Sequence, residues 1–146
     1  MEHIAILTGG DSAEYEISLL SANTVLQHLN SELFKGYIVH LKDNVFTVII
    51  NNQSIAIDKT NFSFNYKNKK IKLEKVFMAL HGPPAENGLI QPYFDNLTIP
   101  YTSCNATVSA LTFVIPKLDP APFGFTKQGS CTVSIISCLS IVSPLW

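Results

Sequence analysis

His81 and Glu86 lie five residues apart in the stretch His81-Gly82-Pro83-Pro84-Ala85-Glu86-Asn87-Gly88-Leu89-Ile90-Gln91. An imidazole there can donate or accept a hydrogen bond, and its charge changes near neutral pH. The Glu86 carboxylate can orient that ring or cap a helix beginning near Gly88. Earlier in the chain stands a second group, Gly9-Gly10-Asp11-Ser12-Ala13-Glu14. Paired glycines let backbone amides approach a ligand closely, and a helix start adds a partial positive charge. Those features favour a phosphate or carboxylate, whereas Glu14 would repel an anion and attract an ammonium group. Glu14 serves equally as a complement to the helix dipole. The spacing is not GxGxxG, so no dinucleotide fingerprint is present. A lone His at a strand end is more often structural than catalytic, and each turn taken singly leaves both readings open.

The elements that must hold these turns alternate between strand and helix. His3 to Thr8 reads as a buried strand, with Gly9-Gly10 as the tight turn after it. Asp11 or Ser12 is placed to cap the next helix, and Glu14 and Glu16 fall in its first turn. Leu19, Ala22, Leu26 and Leu29, with Val25 beside them, give one apolar helical face. A second strand is expected around Tyr37 to Leu41. Val45 to Ile50 and Ser54 to Ile57, joined by Asn51-Asn52, form a hairpin pattern. Phe62 to Tyr66 and Ile71 to Leu73 form another, and the two together read as a peripheral β insertion. Lys75 to Leu80 is a continuous apolar run suited to a strand buried on both faces, and it delivers His81 to the carboxyl edge of a parallel sheet. A short helix over Leu89 to Leu97, a strand over Ile99 to Thr102 and a helix from Ala106 to Phe113 complete the pattern.

At 146 residues, 47% of them apolar, the chain suffices for one core. A net charge of −1 argues against a broad electrostatic footprint for nucleic acid or an anionic membrane. The one basic run, Lys67 to Lys72, fits a solvated turn. The amino terminus opens on a strand, so no secretory leader is expected. Cys104, Cys131 and Cys138 are odd in number and lack CxxC spacing, which favours reduced thiols in the cytoplasm over a zinc site.

Taken together, Gly-Gly-x-Ser-x-Glu-x-Glu-x-Ser after strand one and His-Gly-x-x-x-Glu-Asn-Gly-x-x-Gln after a later strand resemble the amino-terminal domain of D-alanine–D-alanine ligases. The likeness runs on through Ile99-Pro100-Tyr101-Thr102 and Ser109-Ala110-Leu111-Thr112-Phe113, about three quarters of the chain. The resemblance implies an α/β fold: a Rossmann-like parallel sheet with flanking helices and a β-hairpin insertion, the pre-ATP-grasp domain, over residues 1–113. It implies a cytoplasmic ligase of peptidoglycan synthesis in which ATP, with Mg2+, phosphorylates one D-alanine and the amine of a second attacks the acyl phosphate. It assigns Glu14 to the ammonium group of the first D-alanine and sets His81 beside that substrate, with Glu86 as its support. Glu14 and His81 are thus the catalytic candidates, and Glu14, His81 and Glu86 the substrate-binding ones. Ser18 matches a motif serine with a structural role. A homodimer, or pairing with an intact ligase, is the partner expectation beside D-alanine; a non-enzymatic binding or dimerisation module is the alternative.

Three positions depart from the family pattern. Ala85 stands where a glycine is expected, which would be costly at a positive φ. Pro92 follows Gln91 and would press on an early carbonyl of a helix begun at Gly88. After Phe113 the pattern is lost, and residues 114–146 form an irregular C-terminal tail with charges only at Lys117, Asp119 and Lys127. That tail reads as a frameshifted or truncated continuation, or as a hydrophobic anchor, though it is too hydroxyl-rich for a membrane span. The residues that would grip ATP and Mg2+ are absent from the chain, so no dipeptide synthesis is expected of it alone.

Overall fold

The computed structural model describes residues 1–10 and 13–114. The capping role expected of Asp11 or Ser12, and the expected tail beyond residue 114, lie outside the described residues. The element order is β1 (Glu2–Gly9), α1 (Tyr15–His28), β2 (Phe34–Lys42), β3 (Val45–Ile50), β4 (Gln53–Ala56), β5 (Ser63–Tyr66), β6 (Lys69–Lys72), β7 (Lys75–Met78), α2 (Gln91–Asn96) and α3 (Ala106–Val114).

β1 is the strand on which the rest is assembled. It pairs in parallel with β2 on one side and with β7 on the other, Ile6 standing opposite Ile38 and Phe77. Both faces are covered, and Ile4, Ala5, Ile6 and Leu7 are fully buried, as a continuous apolar run in a parallel sheet demands. Alternation sends Ala5 and Leu7 into the main core, and Ile4 and Ile6 towards Leu29 and Ala22 at the helix. α1 lies close over β2: a Cβ on Gly36 would stand 2.7 Å from both Leu26 Cδ1 and Leu29 Cδ2.

The expected α/β class is correct, but the sheet is mixed rather than wholly parallel. Its order is β4-β3-β2-β1-β7, with β3 and β4 added antiparallel at the β2 edge. The chain reverses through residue pairs with positive φ, Asp43-Asn44 between β2 and β3 and Asn51-Asn52 between β3 and β4. Lys67-Asn68 does the same between β5 and β6, and two left-handed residues match the right-handed twist of a tight hairpin. Beyond β7, Tyr101 makes a single parallel bridge to Val76, so the strand expected over Ile99 to Thr102 reduces to one pairing.

The β5–β6 hairpin forms its own two-stranded sheet, yet it is not peripheral. Phe62 and Phe64 are exposed by 0% and 2%, and both belong to the main core. Phe62 meets Phe46 edge-on at 5.5 Å and Phe94 at 5.3 Å, so the hairpin closes the face of the sheet opposite α1. The Phe/Ser/Phe/Asn alternation predicts a half-exposed strand, yet Phe62, Ser63 and Phe64 are all buried, because this segment packs on Phe46 and Phe94.

Phe94→Ala is expected to destabilise the domain by about 3–5 kcal/mol, because Phe94 is fully buried amid Phe62, Tyr93 and Tyr101. Leu111→Ala, at an exposed position, should change stability by less than about 0.5 kcal/mol. Urea denaturation of the two variants beside wild type measures both.

Candidate functional site

The carboxyl edge of the sheet brings the two turns together. Gly9 ends β1 at φ +100, where a Cβ would stand 2.6 Å from the Leu41 carbonyl oxygen. Gly10 follows at φ +88, its N–H donating to that carbonyl at 2.8 Å. A Cβ on Gly10 would lie 3.2 Å from the Pro83 carbonyl oxygen, so the first turn is packed directly against the second. Glycine is required twice over here, for a left-handed backbone and for the close approach.

α1 begins immediately beyond. Glu14 occupies the N-cap position with φ −92 and ψ 13, and its exposed side chain makes no capping bond. Its carbonyl instead accepts from the Ser18 backbone N–H at 3.0 Å and from Ser18 Oγ at 3.2 Å. Ser18 is fully buried, an unusual place for a hydroxyl unless it is bonded. It has a second partner: the backbone N–H of His81 donates to Ser18 Oγ at 2.9 Å. A relay of two hydrogen bonds thus runs from the backbone of His81 to that of Glu14. One turn further along α1, Ser21 Oγ lies 3.0 Å from Nε2 of the His81 ring.

Glu86 is placed differently from His81. Its side chain is exposed, and its backbone N–H donates to the Gly82 carbonyl at 3.1 Å. The ring support expected from Glu86 comes from Ser21, a residue that sequence reasoning missed. The cue was available, because Ser18 and Ser21 are three residues apart and so share one helical face.

The stretch from His81 to Ile90 is a compact turn rather than the mouth of a helix. Ala85 N–H and Glu86 N–H both reach the Gly82 carbonyl, and Leu89 N–H and Ile90 N–H both reach that of Pro84. The Pro83–Pro84 peptide is cis. Positive φ occurs at Gly82 and Gly88 but not at Ala85, so a methyl group at Ala85 meets no left-handed strain. The helix starts at Gln91, not near Gly88, which puts Pro92 in the first turn, where a missing N–H costs nothing. Gln91 is fully buried and fastens the loop: Nε2 donates to Ala85 O at 2.6 Å and lies 3.2 Å from Ser109 Oγ and 3.3 Å from Ser103 Oγ. Gly88 abuts α3, where a Cβ would fall 2.3 Å from Ala106 O.

A second histidine flanks the edge. His40 Nδ1 is 3.4 Å from the Tyr15 hydroxyl, and burial pulls its imidazole below the ordinary range. Cys104 is disulfide-bonded, in place of the expected reduced thiol, and the other cysteines, 131 and 138, lie outside the described residues. Among the described residues no three His, Cys, Asp or Glu side chains cluster around a common point for a metal, and no helix is long and apolar enough to cross a membrane.

A family model described as the D-ala D-ala ligase N-terminus matches residues 3–104. The chain belongs to the D-alanine–D-alanine ligase family. The curated D-alanine–D-alanine ligase of Flavobacterium johnsoniae is 42% identical over 114 residues, covering 77% of this chain and 35% of that protein. The ligase of Azobacteroides pseudotrichonymphae is 40% identical over 145 residues, covering 99% of this chain and 45% of that protein. That alignment therefore takes in the tail as well as the domain. The crystal structure of D-alanyl-alanine synthetase A from Vibrio cholerae shares the fold with a TM-score of 0.66 and 31% identity, covering 77% of this chain and 34% of that one. This ligase-family chain thus spans between a third and a half of the length of these relatives.

Gly88→Ala should cost about 2–4 kcal/mol, combining left-handed strain with overpacking against Ala106, and thermal unfolding would register it. For His40 the folded-state pKa lies below the unfolded one, so its contribution is complete above about pH 6.5 and is lost as pH falls through the folded value. The urea midpoint should accordingly drop below about pH 6.5, and His40→Gln should flatten that drop.

Proposed function

We propose that this chain is the substrate-side part of a D-alanine–D-alanine ligase and receives the first D-alanine at the edge formed by Gly9–Glu14 and His81–Gly88. The observation that carries the reading is the backbone relay His81 N–H to Ser18 Oγ to Glu14 C=O, which joins two motifs that stand 67 residues apart in the chain. An exposed carboxylate at Glu14 suits an ammonium group, because two opposite charges in a partly dehydrated contact attract even at the positive end of a helix. In this reading the His81 ring hydrogen-bonds the same substrate, and the exposed Glu86 carboxylate adds a negative charge. Such a set selects a small zwitterionic amino acid over a purely anionic ligand.

Phosphoryl transfer from ATP needs positioned metal charge, and among the described residues no three His, Cys, Asp or Glu side chains cluster around a common point for Mg2+. In this reading those groups are held by the portion of the relatives that this chain does not span, the chain alone makes no dipeptide, and it works in the cytoplasm on peptidoglycan precursors. A second reading, a non-enzymatic module that pairs with itself or with an intact ligase, draws on Ile17 and Leu20, exposed by 52% and 69% on α1.

Titration of the isotope-labelled chain with D-alanine should shift the resonances of Glu14 and His81, with L-alanine much weaker. Glu14→Gln should raise the dissociation constant at least about tenfold, the usual loss of a charged hydrogen-bond partner. ADP release with ATP, Mg2+ and D-alanine should not exceed that of a Glu14→Gln, His81→Ala control. Unchanged resonances at saturating D-alanine would sink the pocket, and turnover above the control would sink the claim of inactivity.

A further inference from the structure

We infer that Ser21 is a positioning residue for His81, working with Ser18 as a clamp that fixes both the backbone and the ring of that histidine to one face of α1. The relation of the clamp to D-alanine rests on the function proposed above; the clamp itself rests on geometry alone.

Two separate contacts from α1 reach His81. Ser18 Oγ, on the buried face of α1, accepts the His81 backbone N–H at 2.9 Å and fixes where the chain leaves β7. Ser21 Oγ, 3.0 Å from Nε2, fixes the rotation of the ring about its side-chain bonds. The first contact acts on the backbone and the second on the ring. Both serines lie on a regular helix of fourteen residues, Tyr15–His28, so their spacing is set by the helix and not by a loop. Glu14 sits at the N-cap of the same helix, its carbonyl bonded to Ser18. One rigid element therefore sets the separation between the two candidate substrate groups.

The chemistry of the second contact matters as much as its place. A serine hydroxyl both donates and accepts, so it bonds Nε2 whether that nitrogen carries a hydrogen or a lone pair. A carboxylate partner would bond only the protonated nitrogen. Ser21 thus bonds the ring in either tautomer. The role differs from that of Ser18, whose hydrogen bonds are entirely with backbone groups.

The test compares the full chain with Ser21→Ala, Ser21→Cys and Ser21→Thr, reading the His81 ring nitrogens by long-range proton–nitrogen spectra. Ser21→Ala and Ser21→Cys should move the Nε2 resonance while leaving the amide resonances of β1 and β7 in place, and Ser21→Thr should restore it. Their dissociation constants for D-alanine should rise about 3- to 10-fold, the worth of one net hydrogen bond. Ser18→Ala should instead speed hydrogen exchange at the His81 amide. Unmoved Nε2 resonances in both Ser21→Ala and Ser21→Cys would overturn the clamp, Ser21→Cys doing so with little change in packing. Ring resonances that move in a chain indifferent to D-alanine would leave the clamp standing and remove the proposed function instead.

Discussion

The hydroxyl of Ser18 is the point on which the arrangement turns. Fully buried, it must be bonded, and it is bonded to two pieces of chain that share no local connection. One bond reaches the start of α1 and the other reaches His81, three residues beyond the end of β7. Remove that oxygen and the N–H of His81 loses its partner at the place where the strand turns into the loop. A buried donor left without a partner costs more than the bond it made, so the position demands a small hydroxyl rather than an apolar residue of similar size.

Close packing makes that bond possible. Gly9 lets β1 end within contact of the Leu41 carbonyl, and Gly10 lets the next peptide pass against Pro83. A side chain at either place would push the first turn away from the second. On the other side of the loop, Gly88 performs the same service against α3, while Gln91 reaches back to Ala85 from inside the core. The loop carrying His81 is therefore pinned at both ends and beneath, although it contains no regular structure of its own. Its rigidity comes from backbone proximity and a few enclosed polar bonds, which strengthen one another where water is excluded.

The aromatic cluster serves the same end from the opposite face. Phe46, Phe62, Tyr93 and Phe94 lock the antiparallel strands, the β5–β6 hairpin and α2 into one body. Because α2 begins at Gln91, that packing also fixes where the loop must end. Burial pushes the Tyr93 hydroxyl up to about 12, with the nearby Asp58 charge adding to the effect, so the cluster stays neutral well into alkaline conditions.

Much of this was legible in the chain. A continuous apolar run marked β1 as a strand covered on both faces, an Asn pair marked a hairpin, and two ordered motifs pointed to the ligase family. By contrast β7, expected to be buried on both faces, stands at the sheet edge with only Val76 of its four residues buried. Periodicity and turn chemistry are local properties, and residue types report them directly. The Ser21 contact to the His81 ring was not legible. The sequence offered Glu86, five residues away and chemically apt, and the tertiary structure supplied Ser21 from a helix sixty residues earlier. Nor could the sequence show that the hairpin read as peripheral closes the core, or that the helix start lies at Gln91 and spares Pro92. Those outcomes depend on which surfaces meet once the sheet has formed, and sequence neighbours carry no information about that meeting. The chain by itself determined which polar groups border the two turns; only the tertiary fold decided which of them stand together, because α1 brings Ser18 and Ser21 against His81 just beyond β7.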